Sequence, residues 1–552
     1  MGRTIRTCSL GLALALLALP AAAAPRLDFA RSNAGTFVAA RAAADAGDAR
    51  RAAVLYASLA AADPTDRVSA GRALAQAILA GDMSLALRLA ASQPAPSLGV
   101  DARLLLVADG LRTGKGAAAI GPGWPEELGF ITPFVRAWSE SDRGRWKEAI
   151  AILDAVPRDQ SLVQFVPEHK ALILLAAGKP VLAQPLFADA LRAAGGRGDR
   201  LRMAVAAGLL RSGDRAGADS LLAGRDVTLA AGRRLLSAER KPALPIATAA
   251  QGYAELLAGL AVTLGNSDRR SLPLAIVQIG RHADPANDEL RLLAGLYLDG
   301  AERPDDALAV LRGVGDRSPF QSEARDAEIR TLSRAGRTEE ALARAQVFVT
   351  EPGATADDWS RLGDVNDDAK RHAAAAEAYA RALALVEQGG PGPERWSLHL
   401  LRGSSLEQAD RWAEAEKALE AAYALAPESP VVLNYLGYAR LERGERLDEA
   451  ERLIALASAK APEDASITDS LGWAQYKRGR LPQAISTLQR AAAADPAQAE
   501  INEHLGDALY AAGRKFEARF AWNAALVTAE DEVKTRVEAK IAAGLTPATA
   551  AP

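Results

Sequence analysis

Residues 465–498 read ASITDSLGWAQYKRGRLPQAISTLQRAAAADPAQ, and residues 499–532 read AEINEHLGDALYAAGRKFEARFAWNAALVTAEDE. Set one above the other, Leu471 and Gly472 fall on Leu505 and Gly506, Gly479 on Gly513, Ala484 on Ala518, Leu488 on Trp522 and Ala491 on Ala525, an offset of 34 throughout. A period of that length holds one helix–turn–helix unit. The small residue that opens the second helix recurs at Ala518, Ala484, Ala450, Ala415, Ala375, Ala341 and Ala307, in steps of 34, 34, 35, 40, 34 and 34. The step of 40 coincides with Gly389-Gly390-Pro391-Gly392-Pro393, a loop insertion, and the step of 35 adds one residue to the turn at 444–447. A fainter series continues through Ala218, Ala183, Ala149, Ala119, Ala86 and Ala52, each with a glycine five residues upstream, from Gly213 back to Gly47.

The residue types have a physical reason. Antiparallel helices approach to about 8–10 Å where the facing side chains are small, which Ala and Gly at the crossing permit. Glycine between the helices supplies a C-cap with positive φ. Pro64, Pro285, Pro319, Pro427, Pro462 and Pro496 stop the second helices. One such pair cannot bury its apolar face alone, so stacking of neighbours makes the core.

The spacing of Leu-Gly, Ala, a bulky residue, Ala and Pro on a period of 34 resembles the tetratricopeptide repeat. The fold this implies is all-α, a right-handed α-solenoid of about 12–14 stacked helix–turn–helix repeats. The expected divisions are a signal peptide over 1–23, a divergent N-terminal superhelix over 24–232, an irregular helical hinge over 233–286, the C-terminal array over 287–532, and a helix end with a disordered tail over 533–552. The hinge is placed where the chain between Ala218 and Ala307 breaks the rhythm and carries Pro242-Ala243-Leu244-Pro245.

Composition agrees with helices. Hydrophobic residues are 49 % of the 552 but aromatics only 5 %, so the apolar content is mostly Ala, Leu and Val, against a sandwich or barrel. The formal net charge of −3 argues against a nucleic-acid coat or an anionic-lipid binder. Arg3 and Arg6 precede the apolar run Ser9 to Leu19, Pro20 breaks it, and Ala21-Ala22-Ala23 offers a signal-peptidase site, with the cut expected after Ala23. No later stretch has the ~20 uninterrupted apolar residues of a membrane helix, so the expected product is periplasmic. Cys8, the only cysteine, lies before the apolar run and not after it, where a lipoprotein signal carries one. Outer-membrane association is left open, without a lipobox. A processed chain would hold no thiol for disulfides, metal or nucleophilic attack.

The NYLGY (434–438), DSLGWAQY (469–476) and NEHLGDALY (502–510) blocks carry a narrower resemblance over 433–526. They are similar to the C-terminal repeats of exported proteobacterial tetratricopeptide proteins, and the helix pair at 252–285 fits the same family. Some relatives are outer-membrane adaptors of a periplasmic carboxy-terminal processing protease. The resemblance implies a non-catalytic scaffold or adaptor, with an envelope protease or its substrates as the candidate partner. A structural part of a polysaccharide-export or outer-membrane assembly machine is the alternative.

Motifs for chemistry are missing. His169, His282, His372, His399 and His504 are too far apart for a zinc-type H-E-x-x-H, and no G-x-S-x-G elbow or phosphate-binding G-x4-G-K-[ST] occurs. Acid pairs such as Asp305-Asp306 and Asp367-Asp368 fall at helix ends, where they complement the dipole. No cofactor or metal is expected. Binding is expected in the concave groove lined by first helices. Counting from the Leu-Gly anchors, the groove candidates are Asn434 and Tyr438, then Asp469, Trp473 and Tyr476, then Glu503, Asp507 and Tyr510. Each is open to a second role, bracing the neighbouring repeat, and Trp473 above all. Aromatics beside carboxylates suit a basic or amphipathic protein segment.

Overall fold

The computed structural model describes residues 33–115, 120, 124–224, 226–238, 242–265 and 271–551. The expected leader at 1–23, with Cys8, and Ala119 lie outside the described residues. Those described fold into helices joined by short turns, with no strand among them.

The chain divides into two compact units, Met1–Leu128 and Gly129–Pro552. In the first, helices Asn33–Asp45, Ala49–Ala62, Arg67–Leu79 and Met83–Ala91 form two hairpins, followed by Val100–Arg112. Asp48, Asp66 and Asp82 each accept a backbone N–H of the helix they precede, which satisfies donors a helix start leaves free. The second unit ends in seven regular hairpins, from Asp288–Gly300 with Pro304–Leu311 to Ala499–Ala511 with Lys515–Leu526, and then one more helix, Asp531–Ala543.

The repeat positions do what their spacing requires. Ala307, Ala341, Ala375, Ala415, Ala450, Ala484 and Ala518 are all fully buried, as are Ala52, Ala86, Ala149 and Ala183 in the fainter series. The inter-helix turn needs one left-handed residue: Gly479 has φ 74° and Gly513 81°. Where glycine is missing at that place, Glu302, Lys370 and Asp410 adopt φ 57° instead. The one-residue insertion leaves both Gly444 and Arg446 at positive φ.

The break between the units follows Leu128. Residues 233–286 contain helices Ala249–Leu264 and Ser271–Ala283, and the first packs on Thr132–Asp142. There Trp138 fills the space over Gly252, and Asp142 Oδ1 accepts the Ala249 N–H at 2.9 Å. The C-terminal end is also folded. Asp531–Ala543 is a full helix, and Ala551 is buried.

Candidate functional site

Pro430–Glu442, Ala465–Lys477 and Ala499–Ala511 are the first helices of three successive repeats and lie side by side, with Asp531–Ala543 continuing the row. Ser and Pro open the first of them, Asp464 caps the second by accepting the Ile467 N–H, and the Leu-Gly pair sits where each crosses its partner helix. A Cβ on Gly472 would meet the Leu488 side chain at 2.6 Å, so this closeness fixes which faces are left for the groove.

Between these helices lies a cavity of about 570 Å³. Four of the eight candidates line it: Asn434, Tyr438, Asp469 and Glu503. Beside them are Glu407, Tyr435, Glu442, Glu500, His504, Glu532 and Arg536, which the sequence reading did not single out. Repeat phase contained part of the signal, since His504 follows Glu503 as Ser470 follows Asp469. Glu532 closes the array expected over 287–532, and Arg536 falls in the helix end expected over 533–552. The lining holds six carboxylates, with Arg536 and His504 as its cationic side chains.

The carboxylates differ in state. Glu503 is fully buried and accepts from Arg536 Nε and Nη2, each at 2.7 Å, and from Lys540 Nζ at 2.6 Å. Burial works against its charge, but these cations prevail and hold its pKa below the usual range. Asp469 Oδ2 pairs with His504 Nδ1 at 2.8 Å, while its Oδ1 is buried without a partner. Burial opposes the His504 charge, yet Asp469, Asp507 and Glu503 together raise its pKa, so the ring favours the imidazolium. Glu407, raised by burial, accepts from the Tyr435 hydroxyl at 3.1 Å. Burial likewise raises the Tyr438 phenol, keeping it a neutral donor.

The other four candidates are outside the cavity lining. Trp473 is fully buried: its Nε1 donates to Glu442 at 3.0 Å, and its ring stacks on His504 at 4.1 Å and on Tyr476 at 4.6 Å between centroids. Of its two roles, packing is the one it occupies in this structure. Asp507 is fully buried as well. Its Oδ1 accepts from Trp522 Nε1 at 2.9 Å, and its Oδ2 from Lys540 Nζ at 2.7 Å and from the Ala551 N–H at 3.0 Å. Tyr476 and Tyr510 are half-buried, Tyr510 resting on Trp522. These four lie under the end of the chain and not free in the groove.

A second concentration of charge escaped the sequence reading. Arg197 donates to both oxygens of Glu168, at 2.9 and 3.0 Å, and to Glu255, and Arg200 Nε donates to the other Glu255 oxygen at 3.0 Å. Asp284 and Glu289 stand 3.7 Å from Arg200. Two arginines thus face four acids in the interior, and burial, reinforced by Glu255, pushes Glu289 up to about 8. The adjacent His169 accepts from Trp138 Nε1 at 2.9 Å and is pushed down to about 3 by burial, so it is neutral. All of these side chains are closed off from solvent and hold helices together. Among the described residues, no group of three or more His, Cys, Asp or Glu is arranged to hold a metal ion, and no helix is long and apolar enough to cross a membrane.

The comparisons bear on the same region. No curated protein matches the chain. Among solved structures, the chain is similar to the Cut9–Hcn1 hetero-tetramer of APC/C, at 15 % identity over 94 % of this chain and 97 % of that one, with a TM-score of 0.38. It is similar to yeast Tom70 at 11 % identity over 93 % and 95 %, with a TM-score of 0.39. A tetratricopeptide repeat protein from Parabacteroides merdae matches at 14 % identity over 46 % of this chain and 97 % of that one, with a TM-score of 0.38. The family model described as tetratricopeptide repeat matches residues 400–465 and 470–532, which are the helical hairpins that build the acidic cavity. The spacing, buried alanines and left-handed turns of the hairpins over 400–532 agree with that match to the tetratricopeptide repeat.

Proposed function

We propose that this chain is an exported, non-catalytic scaffold that holds a basic or amphipathic segment of a protein partner in the groove of its C-terminal repeats. The observation that carries this reading is the cavity lined by Glu407, Glu442, Asp469, Glu500, Glu503 and Glu532 together with the Tyr435 and Tyr438 phenols. A row of first helices presenting carboxylates and aromatic hydroxyls attracts cations and offers flat apolar faces for an anchor residue. Export rests on the basic, apolar and small-residue succession at 1–23. An envelope protease or its substrate is the partner that the resemblance of 433–526 supplies.

Glu500 and Glu532 are exposed at the cavity, so changing them should leave the fold intact. Glu500→Lys with Glu532→Lys should reduce affinity capture of the partner from the native envelope at least tenfold, read by mass spectrometry, with an unchanged melting temperature. Capture that survives the charge reversal overturns the groove as the binding surface. Mass analysis of the exported protein should find Ala24 as its first residue; a diacylglyceryl group or retention of 1–23 overturns the export reading.

A further inference from the structure

The helix Asp531–Ala543 stops at Gly544, whose φ of 87° turns the chain sharply, and the Tyr510 hydroxyl occupies the space a Cβ would need. Leu545 then packs in the cluster of Tyr476, Tyr510 and Ile541. Thr546 to Thr549 closes a turn, with the Thr549 N–H donating to Thr546 O at 3.0 Å and the Thr546 N–H to Thr549 Oγ1 at 2.9 Å. Pro547, at the second position of that turn, presets its φ. The turn delivers Ala551, only 5 % exposed, into the cluster of Trp473, Tyr476 and Tyr438, where its N–H donates to Asp507 Oδ2. The segment is thus held at its two ends, by Leu545 beside Tyr476 and Tyr510 and by Ala551 beside Trp473, and its last described backbone N–H meets a buried carboxylate, while Thr546, Pro547, Ala548 and Ala550 between them are exposed.

We infer that residues 545–551 are a built-in occupant of a peptide subsite formed by Trp473, Tyr476, Asp507 and Tyr510, and that a partner segment of the same chemistry, a turn-forming run that ends in a small apolar residue, binds there by displacing them. The inference rests on the groove reading above and names the segment that groove takes beyond its acidic cavity. The chemistry is specific at three points. Asp507 Oδ1 is taken by the Trp522 indole, so the acceptor left for an incoming backbone N–H is Oδ2, shared with Lys540. Ala551 is buried among Leu441, Ile454 and Trp473, a seat that suits a methyl better than a large side chain. Tyr438 belongs both to that seat and to the acidic cavity, so the two adjoin. A tethered occupant is present at an effective concentration of about millimolar, so a free segment must outcompete it.

The test uses the full chain and the synthetic octapeptide LTPATAAP, fluorescently labelled at its N-terminus, followed by anisotropy up to a few millimolar protein. Ala551→Asp sets a carboxylate beside Asp507 and expels the tail by charge; Ala551→Trp expels it by size. Both variants should bind the octapeptide at least tenfold more tightly than the parent chain, and a peptide with Asp in place of its last Ala should bind neither. Equal binding by parent and variants, or binding by none of them, overturns the inference. If the octapeptide binds none while Glu500→Lys with Glu532→Lys still abolishes partner capture, the groove reading stands and the tail subsite falls. If the octapeptide binds the variants while that charge reversal leaves capture intact, the acidic cavity is not the recognition surface.

Discussion

Removing the ammonium of Lys540 should unfasten the C-terminal end of the array. Lys540 is fully buried, 2.6 Å from Glu503 Oε1 and 2.7 Å from Asp507 Oδ2, both fully buried themselves. At an effective dielectric near 20 each contact is worth roughly 6 kcal/mol before desolvation. Taking the three charges out of water costs several kcal/mol per ion, so the intact cluster adds little net stability, whereas deleting one partner costs about 3–5 kcal/mol. Lys540→Met keeps the unbranched apolar stem and removes the ammonium. Glu503 retains both Arg536 bonds, and Asp507 retains the Trp522 and Ala551 N–H groups, which places the expected loss near the lower figure, about 3 kcal/mol. The loss has a definite pH dependence. Burial already raises the Asp507 pKa, and without its cation it rises further. A carboxyl group raised in the folded state carries no penalty below its unfolded pKa of about 3.9 and a growing one as the pH increases. The variant should thus differ most from the parent at pH 7 and least near pH 4. Stacked repeats open locally, so hydrogen exchange of the 499–543 amides under mild urea is the assay. Lys540→Met combined with Asp507→Asn should recover at least 1 kcal/mol, because it removes the orphaned charge. A loss below 1 kcal/mol, or one independent of pH, refutes this reasoning.

Ala484→Leu should cost roughly 1–3 kcal/mol by overpacking a fully buried crossing point, read as a lowered melting temperature. Gly506→Ala should cost a similar amount, about 1–3 kcal/mol, because a Cβ there would run into the Trp522 indole. Trp473→Ala should destabilise the C-terminal repeats by about 3–5 kcal/mol, seen as early loss of amide protection in 430–511, since the ring is wholly buried and stacked on two neighbours. His169, held neutral with a pKa of about 3 against about 6.5 unfolded, should make the second unit lose stability as the pH falls from about 6.5 towards 3. Urea melts of His169→Gln against the parent should show a shallower acid slope.

The repeat core was legible in the sequence because its determinants are local and recur. A buried alanine opens each regular second helix and, except at the one-residue insertion before Ala450, a left-handed residue sits five positions before it, so a period of 34 carries the fold through Ala484, Ala518, Gly479 and Gly513. The acidic side of the groove was partly legible for the same reason: repeat phase brings Asn434, Tyr438, Asp469 and Glu503 to one cavity. Phase says which face of a helix a residue occupies, but not what lies over that face. Trp473, Tyr476, Asp507 and Tyr510 are on the expected face, and only tertiary structure covers them, with Lys540 and Ala551 arriving from a part of the chain that has no repeat register. The same limit hid the interior ion cluster. Arg197 meets Glu168 and Glu255 across 29 and 58 residues, spacings with no fixed periodicity, and burial then decides which of those acids keeps a proton. The prolines of 233–286 interrupt the rhythm, and nothing in the spacing says that Trp138 packs over Gly252 there. Local periodicity thus determined the helices and their pairing, while long-range contacts decided which polar groups are buried, paired or left open to a partner.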